Sequence, residues 1–292
     1  MSYKDFVKLI NIDFDALSRP NLWSYLSLAG SNVMLMKAKG ESGEKISEEK
    51  QKILEYVIER THLSADKIKQ ILGNIQQALL SCGYGVRRVK IKALSPALIG
   101  GSEVFSTIPF EVGLHFDPFL NVPYIPGSTI KGAVRNAAFD LLLRDNASEE
   151  EAEKECKRLF GDNRNVGLIG FSSAYPIEGG LNGRLLYPDV MTPHYTGETD
   201  TELDVSPNPI IYPSIAQNTV FQFYLFYRKD VKSRRITIEA SRNADLADIP
   251  TQEITKLGIV DLAILYSFYK GVGAKTAVGY SRFEVLSYEA LG

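Results

Sequence analysis

The sequence predicts an α+β protein of the ferredoxin-like (RRM-like) type, preceded by a helical extension and carrying a long insertion between its two central strands. Three observations lead there. Helical apolar spacing fills the first third of the chain and stops near residue 85. At Val86 the pattern switches to strict alternation. The major elements then read β (86–94), α (128–143), β (166–175), β (219–228), α (251–270), β (280–288), a β-α-β-β-α-β order. The chain divides accordingly into a helical part, 1–85, and a main domain, 86–292, with the insertion at about 181–218.

In the helical part, Ser47 is placed to cap a helix that opens on Glu48 and Glu49 and lines one face with Ile53, Leu54, Val57 and Ile58. Ser64 is placed to cap the next, where Ile68, Ile71, Leu72, Ile75 and Leu79 recur at helical spacing and Gly83 suits the position after the end. The polar stretch 37–45 reads as a mobile loop. The first strand turns Val89, Ile91 and Ala93 to a core and Arg88, Lys90 and Lys92 to the opposite face. A second extended run is read at 104–112. Helix 128–143 puts Ile130, Val134, Ala137, Ala138 and Leu141 on its apolar side. Ser148-Glu149-Glu150-Glu151 is a capping box that opens a short acidic helix ending near Phe160-Gly161. The helix 251–270 is apolar nearly all round after Leu257, so it should be buried.

Composition narrows the function classes. The 292 residues are 45% hydrophobic, enough for a sizeable core. Lys and Arg total 33 against 35 Asp and Glu, so any attraction for nucleic acid must be local. Cys82 and Cys156 form no CxxC pair, which argues for reduced thiols and against zinc. The charged N-terminus is no signal peptide, and the apolar run 257–269 is too short for a span and broken by Asp261. A cytoplasmic protein with no membrane partner is expected.

The chemistry gathers in two glycine-bearing motifs. The first is Gly271-Val272-Gly273-Ala274-Lys275-Thr276-Ala277-Val278-Gly279-Tyr280. A nucleotide-hydrolysing P-loop needs glycine directly before its lysine, and Ala274 stands there. GxGxxG fails because Thr276 takes the third glycine position, and the loop runs from helix to strand, the reverse of both motifs. What remains is a backbone able to approach an anion, with Lys270, Lys275 and Arg282 for charge and Thr276 for a hydroxyl. A plain glycine-ended helix and tight turn would read the same way. The second motif is Tyr124-Ile125-Pro126-Gly127-Ser128-Thr129-Ile130-Lys131-Gly132-Ala133-Val134-Arg135. Pro126-Gly127 turns the chain, Ser128 or Thr129 caps the helix, and the helix start attracts anions. Lys131 and Arg135, four apart, share a face, although an ordinary capped helix with two solvated cations fits as well.

The basic face Arg88, Lys90, Lys92 fits a solvated strand, and gains interest because ferredoxin-like sheets often offer one open face to RNA. Tyr187, His194 and Tyr195 are candidates for stacking on unpaired bases. His115-Phe116-Asp117 is the one local pattern that suggests acid–base work on a 2′-hydroxyl, against a structural histidine. No metal or cofactor motif stands out.

Together, 125–132 and 271–280 resemble the RAMP proteins of CRISPR systems, and Asp189-Val190-Met191-Thr192-Pro193-His194-Tyr195 with Ser206-Pro207-Asn208-Pro209 narrow the likeness to the sixth-subunit family of type III-B Cmr effector complexes. The likeness covers about 86–288. It implies a ferredoxin-like RAMP domain that helps hold guide RNA inside a multi-subunit ribonucleoprotein of antiviral defence. The place implied is near the guide's 3′ end, beside backbone subunits that do most of the cutting of target RNA. It therefore implies no catalytic residue in this chain, no cofactor, and RNA contacts at Ser128, Thr129, Lys131 and the 271–280 loop (Gly271, Gly273, Ala274, Lys275, Thr276 and Tyr280 among them), with Arg135 a weaker carry-over. The rival expectation is a RAMP-type RNA endonuclease using His115 and Asp117.

Overall fold

The computed structural model describes residues 21–103, 105–192, 209–229 and 258–291. Its order is α1 (Leu22–Ala38), α2 (Gly43–Arg60), α3 (Ala65–Ser81), β1 (Gly85–Ala93), α4 (Thr107–Phe110), β2 (Phe116–Asp117), β3 (Val122–Pro123), α5 (Gly127–Arg144), α6 (Glu149–Phe160), β4 (Ile169–Phe171), β5 (Tyr175–Glu178), β6 (Leu186–Met191), β7 (Ile210–Ile215), β8 (Val220–Tyr227), α7 (Ile259–Lys270) and β9 (Phe283–Leu291).

The main sheet runs β4-β8-β1-β9, with β5 also paired to β8, and its pairings are antiparallel. The β4–β5 segment counts as one strand position, so the order is second, third, first, fourth, the ferredoxin-like arrangement. The expected strand 166–175 is broken because Ser172 intervenes: its backbone N–H donates to the Tyr224 carbonyl, and its Oγ accepts from Tyr224 N–H. The last strand starts later than expected. A 3₁₀ turn at Thr276–Val278 and left-handed residues at Gly279 and Ser281 hold the backbone out of the sheet until Phe283.

Alternation along β1 and β8 divides the core in two. Val89, Ile91, Ala93, Phe221, Phe223 and Leu225 face α5 and α7 in one cluster. Phe268 of α7 packs there between Phe223, at 5.6 Å between ring centroids, and Phe283, at 5.8 Å. As its composition predicts, α7 is buried on nearly every side. Val86, Val220 and Tyr224 point to the other face, where Ile68 and Leu72 of α3 meet them. A sheet face expected to be open is thus partly covered by α3, and Tyr224 Oη donates to Gln76 Oε1 at 3.4 Å.

Helix starts differ from expectation in instructive ways. α2 begins a turn early, capped by Ser42 rather than Ser47, because Ile46 can join the core packing. The supposed mobile loop 37–45 shrinks to a short turn between α1 and α2. Ser64 precedes α3 but its side chain makes no capping bond. α5 has Pro126 at the cap position, and neither Ser128 nor Thr129 caps it. Gly127 lets that helix start press against the Phe171 carbonyl, where a Cβ would collide. Ser148 and Glu151 do form the capping box of α6. The run 104–112 is no strand: its described part, from 105 on, makes the one-turn α4 between left-handed Ser106 and Glu111.

The described parts of the insertion form a hairpin, β6 paired with β7. Ile215 of β7 also bridges to Ala97. His194, Tyr195 and the Ser206-Pro207-Asn208 stretch lie outside the described residues. No helix among the described residues is long and apolar enough to cross a membrane.

Candidate nucleic-acid interface

α5 and α7 pack on the same sheet face, and the two glycine motifs begin or end there. Between them lies an open cleft of about 760 Å³. One wall is the first half of α5, with Thr129, Ala133, Asn136 and Asp140. The facing wall is the end of α7 and the loop after it, with Lys270, Gly271, Gly273, Ala274 and Thr276. Ser102, Glu103 and His115 close one end. The structure therefore brings Thr129 together with Lys270 and much of the glycine loop, although more than a hundred residues separate them in sequence.

The loop is held by its own backbone and by one buried serine. Ala274 N–H donates to the Leu98 carbonyl at 2.8 Å, and Ser281 N–H donates to the Pro96 carbonyl at 3.0 Å. Ser281 Oγ accepts from Leu98 N–H at 3.0 Å and donates to the Ala274 carbonyl at 3.1 Å. Gly273 serves this packing. At Gly273, with φ +131°, a Cβ would lie 2.6 Å from Ile99 Cδ1 and 2.7 Å from the Leu98 carbonyl oxygen. Gly273 thus seats the loop against Leu98 and Ile99.

Main-chain donors are left over. Among the described residues, the N–H groups of Gly273, Lys275, Thr276 and Ala277 have no hydrogen-bond acceptor. The same holds at the start of α5 for Ser128 and Thr129, because the first turn of a helix has no preceding carbonyls to use. Unpaired N–H groups from a helix start and from a left-handed turn both suit an anion.

Side chains are more dispersed than the sequence suggested. Ser128 is exposed and Lys131 partly exposed; neither lines the cleft. Arg135 reaches Glu153 of α6 at 3.0 Å. Arg282 is exposed, its backbone N–H on Ser95 Oγ at 3.3 Å. Arg88 pairs with Glu289, Lys92 pairs with Glu284 at 2.8 Å, and Lys90 stands half-exposed between them, all on the sheet face opposite α5 and α7. Lys270 Nζ lies 5.6 Å from the ring centre of Tyr266.

Lys275 adopts a left-handed backbone, with its ammonium between the rings of Tyr212 and Tyr280 at 5.4 and 5.3 Å. It donates to Tyr212 Oη at 3.3 Å. Both tyrosines donate to the Asp189 carboxylate, Tyr212 at 3.2 Å and Tyr280 at 3.1 Å. Burial and the adjacent carboxylate hold the Tyr212 phenol far above its ordinary pKa, so it stays a donor.

His115 sits 3.6 Å from Glu103 Oε1. Burial pushes its pKa below the usual value, against the pull of Glu103. Asp117 is occupied elsewhere. Its Oδ1 accepts from the N–H groups of Phe119 and Leu120, both at 2.9 Å, and its Oδ2 accepts from Tyr175 Oη at 3.0 Å. That is a turn-forming aspartate. Sequence reasoning missed Asn136, Ser281, Asp189 and Tyr212. Asn136 is legible as the polar residue one helical turn beyond Ala133, but the other three act across tertiary contacts that no local pattern reveals.

The chain also resembles known proteins. The RAMP superfamily profile matches residues 90–284. A CRISPR system CMR subunit Cmr6 from Saccharolobus solfataricus is 32% identical, over 85% of this chain and 75% of that protein. A Cmr6 from Pyrococcus furiosus is 25% identical, over 59% of this chain and 61% of that one. Among solved structures, a chain of a type III-B Cmr-beta complex bound to cognate target RNA superposes with a TM-score of 0.73 at 25% identity, covering 99% of both chains. The matched residues include both glycine motifs, and on that match the chain belongs to the RAMP superfamily.

Proposed function

We propose that this chain is a non-catalytic, guide-RNA-binding subunit of a type III-B Cmr effector complex, standing near the guide's 3′ end beside the backbone subunits. Its partners are guide RNA, target RNA and the neighbouring Cmr subunits. The observation that carries the reading is the cleft between α5 and the glycine loop, where unpaired main-chain N–H groups of both motifs accompany Lys270 and the hydroxyls of Thr129 and Thr276. Such donors read phosphate and ribose, not base identity. The likeness to Cmr6 proteins and to a chain of an RNA-bound Cmr complex supports the same reading. The non-catalytic part is supported by Asp117, whose oxygens are occupied by a turn and by Tyr175, which leaves His115 without the proposed partner.

The test is equilibrium binding of the full chain to labelled single-stranded RNA at several salt concentrations. Affinity should be equal within about twofold for guide and scrambled sequences, and should fall with a log–log slope of about −0.7 per phosphate contacted. Lys270→Glu should weaken it about tenfold. Affinity independent of salt would sink the reading. In the assembled complex, His115→Ala should leave target cleavage at the wild-type rate; loss of cleavage with RNA affinity unchanged would instead favour the endonuclease.

A further inference from the structure

The glycine loop carries a lysine, yet that lysine does not face the cleft. Lys275 is absent from the residues that line it, while its neighbours Ala274 and Thr276 are present. Its ammonium is enclosed by Tyr212 and Tyr280, and both phenols converge on Asp189. Tyr212 belongs to β7 and Asp189 to β6, directly opposite each other in the hairpin register. The inserted hairpin is thus joined to the glycine loop through a cation, two rings and a carboxylate. Tyr212 is fully buried, so its hydroxyl has no water to fall back on, and Lys275 and Asp189 are its hydrogen-bond partners. Lys275 also sits in a left-handed conformation that costs a non-glycine residue free energy and persists only where surrounding contacts enforce it.

We propose that Asp189, Tyr212, Tyr280 and Lys275 form a latch by which the β6–β7 hairpin sets the shape of the anion-binding loop, making Lys275 a positioning residue and not a phosphate contact. This rests on the RNA-binding reading above for its functional consequence, while the latch itself is a statement about the free chain. The N–H groups of Lys275, Thr276 and Ala277 point where they do because the backbone at Lys275 is pinned from behind. Release of the pin lets the turn relax and disperses the donors. The insertion thereby becomes part of the binding apparatus without touching the ligand.

Two measurements on the full chain test it. The first is amide hydrogen exchange without RNA. The Ala274 and Tyr280 amides, bonded to the Leu98 and Lys275 carbonyls, should exchange about 5- to 10-fold faster in Asp189→Asn and in Tyr280→Phe than in wild type. Tyr280→Phe alters a half-buried position and keeps the ring over Lys275, so it guards against a misfolded result. Wild-type exchange rates in both variants would overturn the latch. The second is RNA affinity against salt, with labelled single-stranded RNA as the probe. Lys275→Gln and Asp189→Asn should weaken binding by similar factors, about 3- to 10-fold, with the salt slope unchanged. A slope reduced by about 0.7 in Lys275→Gln, with Asp189→Asn at wild-type affinity, would make Lys275 a phosphate contact and refute its positioning role. Failure of wild type to bind RNA at all would remove the functional reading, and the exchange rates would still decide the latch.

Discussion

At the scale of single residues, the site is built from groups whose roles depend on distant partners. By sequence, Lys275 supplies positive charge to a glycine loop and is an expected RNA contact. Its ammonium lies against Tyr212, which donates to Asp189, and both come from strands more than sixty residues upstream. Ser281 had no signal at all, yet it is fully buried and ties the loop to Leu98. Ser281→Ala should therefore destabilise the fold by about 1–3 kcal/mol, since it leaves the Leu98 N–H without a partner; chemical denaturation measures this. His115 gives a pH test. Its folded pKa lies below its unfolded one because burial disfavours the imidazolium. The unfolded state then binds more protons as pH falls through that interval. The stabilisation is fully present above the ordinary histidine value near 6.5 and is lost as pH falls through the folded value. Wild type should lose stability relative to His115→Gln between pH 7.5 and pH 5 in paired urea titrations; parallel curves would contradict the assignment.

At the scale of elements, local signals worked where a segment answers only to itself. The capping box of α6 is made within four residues, and Ser148→Ala should cost the protein about 1 kcal/mol, readable as a lowered urea midpoint. Alternation in β1 and the all-round apolarity of α7 were equally legible, since both report burial directly. The misreadings share a cause. Whether 104–112 becomes a strand, whether 166–175 runs unbroken, and whether the Arg88 face is open are each decided by a neighbour in the tertiary packing. For the last, that neighbour is α3, whose Leu72 is buried against the sheet. Leu72→Ala should destabilise by about 2–4 kcal/mol, seen in urea unfolding, and unseat α3 from Tyr224. The Arg88–Glu289 and Lys92–Glu284 pairs are partly exposed and should contribute at most about 1 kcal/mol each, so their loss would change little.

At the scale of the molecule, the helical N-terminal part does not stand apart from the sheet. Leu22, Leu26 and Val33 of α1 and Ile53, Leu54 and Val57 of α2 share one apolar cluster with β1, α5 and α7. Ile68 and Leu72 of α3 build the other. A chain lacking the residues before β1 should consequently fail to give a cooperative thermal transition and should bind hydrophobic dyes; a sharp wild-type melt would contradict this. With a net charge of −2, the protein has no long-range pull on a polyanion. In the RNA-binding role proposed above, its grip comes from short-range donors in and beside the cleft between α5 and the loop. The unpaired donors in and beside it are the N–H groups of residues 128, 129, 273 and 275–277, and every amino acid except proline supplies the same one. Such a surface is nearly invisible to alanine scanning and free to drift in sequence, provided that the backbone path is kept. Its inheritance lies in shape, carried by buried residues such as Ser281 and Tyr212.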